Sequence, residues 1–319
     1  MHAFRVSRLR SAVLELILLV LCLLLAVAAP RFLTTENLLN VLRNVSMQGL
    51  IALGMTMVII AGEIDLSVGS AVAFAGCLTA YLTGLLAPAL PAPAAVACAV
   101  LAAAALGFGL GSFSGYMRTR YDVPSFITTL ALMTGLSGAA ELITNGFPLT
   151  PFPVWYNVLG GGYLAGVPVP ALIFLAAFGV VHVIMNHTAF GRSVYAVGGN
   201  AEAARLSGIP VARVKIVVLG TVAFLAAVSG VLQSSEIMSG TATTAKGWEL
   251  DVIAAVIIGG TSLTGGTGTV RGTMVGVIFL GVILNGMTLL NVSEYWQHVV
   301  RGVLILSAVL INRLQQRDA

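Results

Sequence analysis

Two acidic side chains, Glu63 and Asp65, stand in the decapeptide AGEIDLSVGS between two long apolar runs, bracketed by Gly62 and Gly69. A carboxylate at bilayer depth is costly and needs a partner, water or a task. Two chemistries suit the pair. The carboxylates could act directly, taking a proton or contacting a ligand. Alternatively, Asp65 could cap the helix that follows, accepting an amide hydrogen bond from Ser67 or Val68. Ser67 would share that duty, and Glu63 would sit in the turn where a helix N-terminus favours negative charge.

The other polar residues within apolar runs are Glu15, Glu141, His182 and Asn285. Glu15 falls near the inner boundary and Glu141 near the outer one, where long side chains reach the interface cheaply. His182, near the inner end of its span, is expected to hydrogen-bond a neighbouring helix. Cys22, Cys77 and Cys98 lie in apolar runs without CxxC spacing and read as small buried hydrophobes. The sequence has no DDxxD, HExxH or GxSxG pattern and no GxxxxGK[ST] phosphate loop. No catalytic residue, metal site or cofactor of its own is expected, and nucleic acid is not an expected partner.

Two glycine-rich segments stand out. In GGNAEAARLSG, Gly198 and Gly199 break the chain and Asn200 suits an N-cap. Glu202 in the first turn and Arg205 near the end agree with the helix dipole, and Gly208 suits the C′ position before Pro210. The spacing predicts a two-turn helix outside the membrane, too short to stand alone in water. It is either a connector packed on the protein's own surface or a docking site for a partner. In GGTSLTGGTGTVRG, the glycines, among them Gly259, Gly260, Gly265 and Gly266, predict a tight hairpin of closely approaching backbones.

These motifs need elements to hold them, and the composition says which. Of the 319 residues 58% are hydrophobic and only 9% charged, against about 25% charged in an ordinary soluble domain. The mean hydropathy is +1.00. The chain therefore reads as an all-α polytopic membrane protein, residues 1–319 forming a single transmembrane domain. About ten spans are expected, near 12–29, 43–61, 66–86, 94–116, 123–144, 168–186, 214–233, 249–263, 270–290 and 296–312. The second, which holds Asn44 and Gln48, and the short eighth are the weak ones. The eighth is taken as a full crossing, although short glycine-interrupted segments can also break within a membrane. The first run is longer than a signal peptide's apolar core and is read as a retained span.

Orientation follows from the basic residues. With the N-terminus inside, Arg5, Arg8, Arg10, Arg118, Arg120, Arg192, Arg205, Arg213, Lys215, Arg271, Arg313 and Arg317 face the cytoplasm, twelve of the sixteen. Only Arg31, Arg43, Lys246 and Arg301 fall outside, so both termini are expected to be cytoplasmic. The longest inner loop is 186–215, which carries the short helix. The longest outer one, 145–170, has no charge and is expected to pack as a loop at the outer membrane face.

At AGEIDLSVGS, YAVGGNAEAARLSGIPV and ELDVIAAVIIGGTSLTGGTGTVRGT, in this order, the chain resembles the permease subunits of bacterial ABC importers of the ribose, xylose, arabinose and autoinducer-2 type. The similarity runs from NLLNVLRNVSMQGLIALGMTMVI to the last span. One departure is Glu63, where many members have glycine. The resemblance implies a permease, not an enzyme, in the bacterial inner membrane, moving a monosaccharide by alternating access. It implies a second permease copy, identical or not, a periplasmic sugar-binding protein, and a cytoplasmic ATPase that hydrolyses the ATP. It makes Gly198 to Gly208 the coupling helix that docks in the ATPase, with Arg205 on the ATPase surface and Ala203 and Ala204 allowing close approach. No residue is assigned to the sugar, and the polar residues of spans two and eight are the pathway candidates. The competing readings are an ion-coupled secondary transporter using Asp65 or Glu141, and a lipid-processing enzyme needing a metal-binding carboxylate pair.

Overall fold

The computed structural model describes residues 2–317, with side-chain environments for 14–307, 309 and 310. The side chains of Arg5, Arg8, Arg10, Arg313 and Arg317 lie outside the described ones. The chain is helical almost throughout. Its first half contains α1 (His2–Ala28), α2 (Thr35–Ile60), α3 (Val68–Leu86), α4 (Ala92–Arg120) and α5 (Ser125–Thr144). A 3-10 turn, Val154–Val158, and a two-residue hairpin, β1 (Tyr163–Leu164) with β2 (Val167–Pro168), lead into α6 (Val169–His187). Two short helices follow, α7 (Ala189–Gly199) and α8 (Ala201–Leu206), then the long α9 (Val211–Ile237). The last three are α10 (Trp248–Ile258), α11 (Val270–Leu289) and α12 (Glu294–Arg317).

Seven of these, α2 to α6, α9 and α11, are long and apolar enough to cross a bilayer. The structure is that of a multi-pass membrane protein. The second span, weak in the sequence, is the centre of the bundle. It begins eight residues earlier than expected, at Thr35 instead of 43, because Thr34 caps it by accepting from the Asn37 amide. Leu50, Ile51, Leu53, Met55, Ile59 and Ile60 of α2 are fully enclosed by other helices.

In lipid, apolar side chains gain little from leaving the solvent, so helices associate through close packing and hydrogen bonds. Both devices are present. The backbones of α4 and α9 touch along three turns. A Cβ on Gly107 would lie 2.9 Å from the Ala223 carbonyl oxygen, one on Gly111 would overlap the Leu219 carbonyl, and one on Gly115 would lie 2.5 Å from the Ile216 Cα. Thr56 of α2 and Thr273 of α11 share a buried hydroxyl bond of 2.6 Å. Asn37 and Asn285 exchange reciprocal amide bonds of 3.0 and 2.8 Å, tying the start of α2 to the far part of α11.

Some expectations change. His182 bonds within its own helix, to Asn186 at 3.1 Å, and stacks on Phe178, and among the described residues no side-chain hydrogen bond links it to a second helix. Cys77 is buried, but Cys22 is only partly so and Cys98 is exposed on α4. The uncharged loop 145–170 is anchored to the bundle at Tyr156, with Phe147, Val154 and Leu164 left exposed. Tyr156 is fully buried, its hydroxyl bonded to the Val231 carbonyl and the Ser234 hydroxyl, with Phe152 stacked on its ring at 4.1 Å.

Candidate functional site

The short helix after Asn200 forms as its end residues dictate. Asn200 Oδ1 accepts the Ala203 amide at 2.9 Å. At the other end Gly208 takes φ +82°, its amide bonding the Arg205 carbonyl while Ile209 bonds that of Ala204. Both orphan ends of α8 are thus satisfied. With six residues it is shorter than the two turns the sequence predicts. Glu202, Ala203, Arg205 and Leu206 are exposed, Leu206 at 75%, whereas Ala204 is buried against the protein itself. Arg205 donates to Glu202 through Nε at 3.0 Å and Nη2 at 2.6 Å. These bonds hold the Glu202 carboxyl below the usual carboxylate range and push the Arg205 guanidinium up.

Preceding α8, α7 is a helix the sequence reading left inside a loop; its Val194 and Val197 are buried. It ends on two glycines with opposite surroundings. A Cβ on Gly198 would overlap the Ile60 carbonyl oxygen and lie 2.6 Å from the Gly266 nitrogen, while Gly199 has nothing within 4 Å. Gly266 donates to that same Ile60 carbonyl at 2.8 Å. Gly265, with φ +83°, approaches the Gly198 carbonyl and Gly62. The end of α2, the foot of α8 and the α10–α11 turn therefore meet backbone to backbone. Gly259 and Gly272 also face each other closely across that turn, as the glycine-rich sequence predicts, and Gly260 takes φ +92°.

The decapeptide begins at this end of the bundle. Gly62, at φ +77°, turns the chain back, and residues 63–67 run without helical structure alongside α5. Backbone amides outside a helix must find other acceptors. Ile64 donates to the Ser125 hydroxyl at 3.2 Å and Leu66 to that of Thr129 at 3.1 Å. Ser70 then meets Ser137 at 3.0 Å, twelve residues along α5 (137 − 125 = 12). That is about 18 Å at 1.5 Å per residue, so α3 starts at middle depth. Asp65 is buried, and its Oδ1 accepts both the amide and the hydroxyl of Ser67, at 2.8 and 2.6 Å. The capping function is thus displaced by a residue or two: Ser67 occupies the N-cap of α3, and Asp65 closes the turn before it.

Glu63 does something the sequence reading missed. It is 5% exposed and accepts two cations, Arg118 Nε at 3.0 Å and Lys215 Nζ at 2.5 Å. Arg118 also pairs with Asp122. Glu63, Arg118 and Asp122 border a cleft of about 380 Å³ lined also by Gly62, Ile64 and Phe126. Its partners are 55 and 152 residues away in sequence. The only signal for them is that counting basic residues by loop places all three at the same end.

A second broken crossing lies beside the first. From the end of α9 the chain descends through turns at 239–247 before α10 starts. Gly240 packs on Cys77 and Ala80 of α3, and lower down a Cβ on Gly69 would collide with the Glu249 carboxylate and the Ala245 carbonyl. With 11 residues α10 spans about 16 Å, roughly half of a hydrocarbon core of about 30 Å. It is anchored by Asp251, whose Oδ1 lies 2.7 Å from Nε of Arg301 on α12, an ion-pair contact without hydrogen-bond alignment.

Broken helices at middle depth, a capped helix exposed at one end and backbone-tight helix pairs describe a helical membrane transport component, not an enzyme. The family of permease components of branched-chain amino acid transport systems matches residues 37–309, and the chain belongs to that family. It is 41% identical over 299 residues to the ribose import permease protein RbsC of Bacillus subtilis (strain 168), covering 93% of this chain and 90% of that one. It is 44% identical over 305 residues to the probable ABC transporter permease protein YphD of Escherichia coli (strain K12), covering 94% and 89%. It is 36% identical over 303 residues to the L-arabinose ABC transporter permease protein AraH of Azospirillum brasilense, covering 95% and 87%. No solved structure matches the chain.

Proposed function

We propose that this chain is the membrane subunit of an ABC importer that carries a monosaccharide across a bacterial inner membrane, driven by ATP hydrolysed on a separate cytoplasmic subunit. The relatives' names, ribose and arabinose permeases among them, support the substrate class. The observation that carries the coupling is α8: six residues closed at both ends, presenting Glu202, Ala203, Arg205 and an exposed Leu206. A helix so short keeps its shape only because of its caps. It can be pushed as a unit, whereas an uncapped loop would absorb the push. Gly198 and Ala204 face the chain's own core, so the contact with the ATPase falls to the exposed residues, with Gly199 and Asn200 at its edge.

In this reading the α8 end is cytoplasmic, both termini included, and about ten crossings result when α1, α10 and α12 join the seven long helices. A periplasmic sugar-binding protein meets the opposite end, and a second permease copy completes the passage. The test is reconstitution of the permease with its ATPase and binding protein in liposomes, using radiolabelled ribose and arabinose. Uptake should require ATP, survive collapse of ion gradients and vanish with Arg205→Glu while the protein remains folded. Uptake driven by an ion gradient without the ATPase would establish a secondary transporter instead.

A further inference from the structure

Glu63 ties three elements together by charge: its own segment, which follows α2, and the helices α4 and α9. Arg118 lies at the end of α4 and Lys215 near the start of α9, and those two helices touch backbone to backbone at Gly107, Gly111 and Gly115. Helices so close cannot slide past one another without collision, so α4 and α9 move as one body, and α3 is seated on that body where a Cβ on Gly230 would overlap the Val72 carbonyl oxygen. That body is continuous with α8 through the short link at 207–210, whose Gly208 and Pro210 leave little slack. Both of its cations close on one carboxylate of a different segment, and that segment is not helical. From Glu63 the chain runs directly to the foot of α3 at middle depth. The formal charges of Glu63, Asp122, Arg118 and Lys215 cancel, so the cluster offers no free charge to a ligand. Its geometry is that of a grip.

We propose that Glu63 is a positioning residue through which the α4–α9 body, displaced by α8, moves segment 63–67 during transport. This rests on the reading of the chain as an ATP-driven permease. The non-helical segment is the natural moving part, because its Ile64 and Leu66 amides rest on side-chain hydroxyls, those of Ser125 and Thr129, and not on a helical ladder. A buried ion pair suits the purpose: it is firm while both partners are present, and losing one strands the other.

The experiment uses the whole complex, permease, ATPase and binding protein, in liposomes, and reads ribose or arabinose taken up per ATP hydrolysed. Glu63→Ala should lower that ratio by about fivefold or more, the scale of an ordinary coupling between sites, while binding-protein-stimulated ATP hydrolysis continues. Because Glu63→Ala leaves Lys215 unpaired, the deciding variant is the double Glu63→Met/Lys215→Met. Replacing a buried ion pair by apolar residues preserves or raises stability, and Arg118 keeps Asp122. A purely structural cluster predicts that this double variant restores both folded yield and coupling. The grip predicts restored yield with the ratio still low, and a near-normal ratio for Lys215→Arg. A double variant with wild-type uptake per ATP overturns the proposal. Absence of ATP-dependent uptake in the wild-type complex overturns the permease reading, and this one with it.

Discussion

Replacing Gly198 by alanine tests how tightly the base of α8 is built into the bundle. The new methyl would overlap the Ile60 carbonyl oxygen and lie 2.6 Å from the Gly266 nitrogen, against ordinary contacts that begin at 3.4 Å. The Gly266 amide must therefore retreat by about 0.8 Å (3.4 − 2.6), and the oxygen by more. Those two atoms are hydrogen-bonded to each other at 2.8 Å, so the same methyl wedges between donor and acceptor. Leaving a buried donor or acceptor unpaired costs about 1–3 kcal/mol, and overpacking adds a further 1–3 kcal/mol or so. The expected loss is about 2–6 kcal/mol. Gly199 is the internal control, with nothing within 4 Å and no positive φ. There alanine ranges from neutral to a gain of about 1 kcal/mol in helix propensity. Thermal melting of the two purified variants in detergent, followed by size-exclusion profile, should separate them by several degrees, with Gly198→Ala below wild type and Gly199→Ala at or above it. Equal melting of Gly198→Ala and Gly199→Ala would refute the backbone contact on which the site description rests.

Two further outcomes concern polar pairs. Asn37→Leu and Asn285→Leu each strand the other's amide and should destabilise by about 1–3 kcal/mol, whereas the double variant recovers most of the loss; a double-mutant cycle on detergent melting measures this, and additive losses would show that the reciprocal bonds carry no coupling. At α8, Glu202 should titrate below an ordinary glutamate, as seen by carbon NMR of the labelled carboxyl, and return toward the ordinary value in Arg205→Gln. Its folded pKa lies below the unfolded one, so the pair's contribution is present throughout the neutral range and disappears only as pH falls through the folded value.

The sequence exposes what is local. Asn200, Glu202, Arg205 and Gly208 define α8 because caps and dipole preferences act within a turn, and apolar length finds the long helices. Neither signal reaches α7, whose short amphipathic run ends in glycines, nor the true start of α2, where Glu36, Asn37 and Asn40 interrupt the apolar pattern before Val41. Glu63 is the instructive case. Its neighbours in sequence suggest a capping acid, and its neighbours in space, Arg118 and Lys215, make it a junction. Ion pairing across 152 residues leaves no periodic trace. The non-helical stretch 63–67 is equally silent, since its Ile64 and Leu66 amides are satisfied by Ser125 and Thr129, two ordinary hydroxyls of another helix.

That hydroxyl-held stretch also determines how the bundle can come apart. Unwinding a helix in lipid strands successive backbone groups with no water to receive them, several kcal/mol each. Lifting residues 64–66 away from α5 undoes the hydroxyl bonds to Ile64 and Leu66 and leaves every helical ladder whole. The turns at 239–247, which run along the other flank of α3, likewise precede α10 without belonging to it. The protein thus has a seam at middle depth along which it can open while all its long helices stay intact. Amide exchange should mark that seam as an early-exchanging strip between slow-exchanging walls.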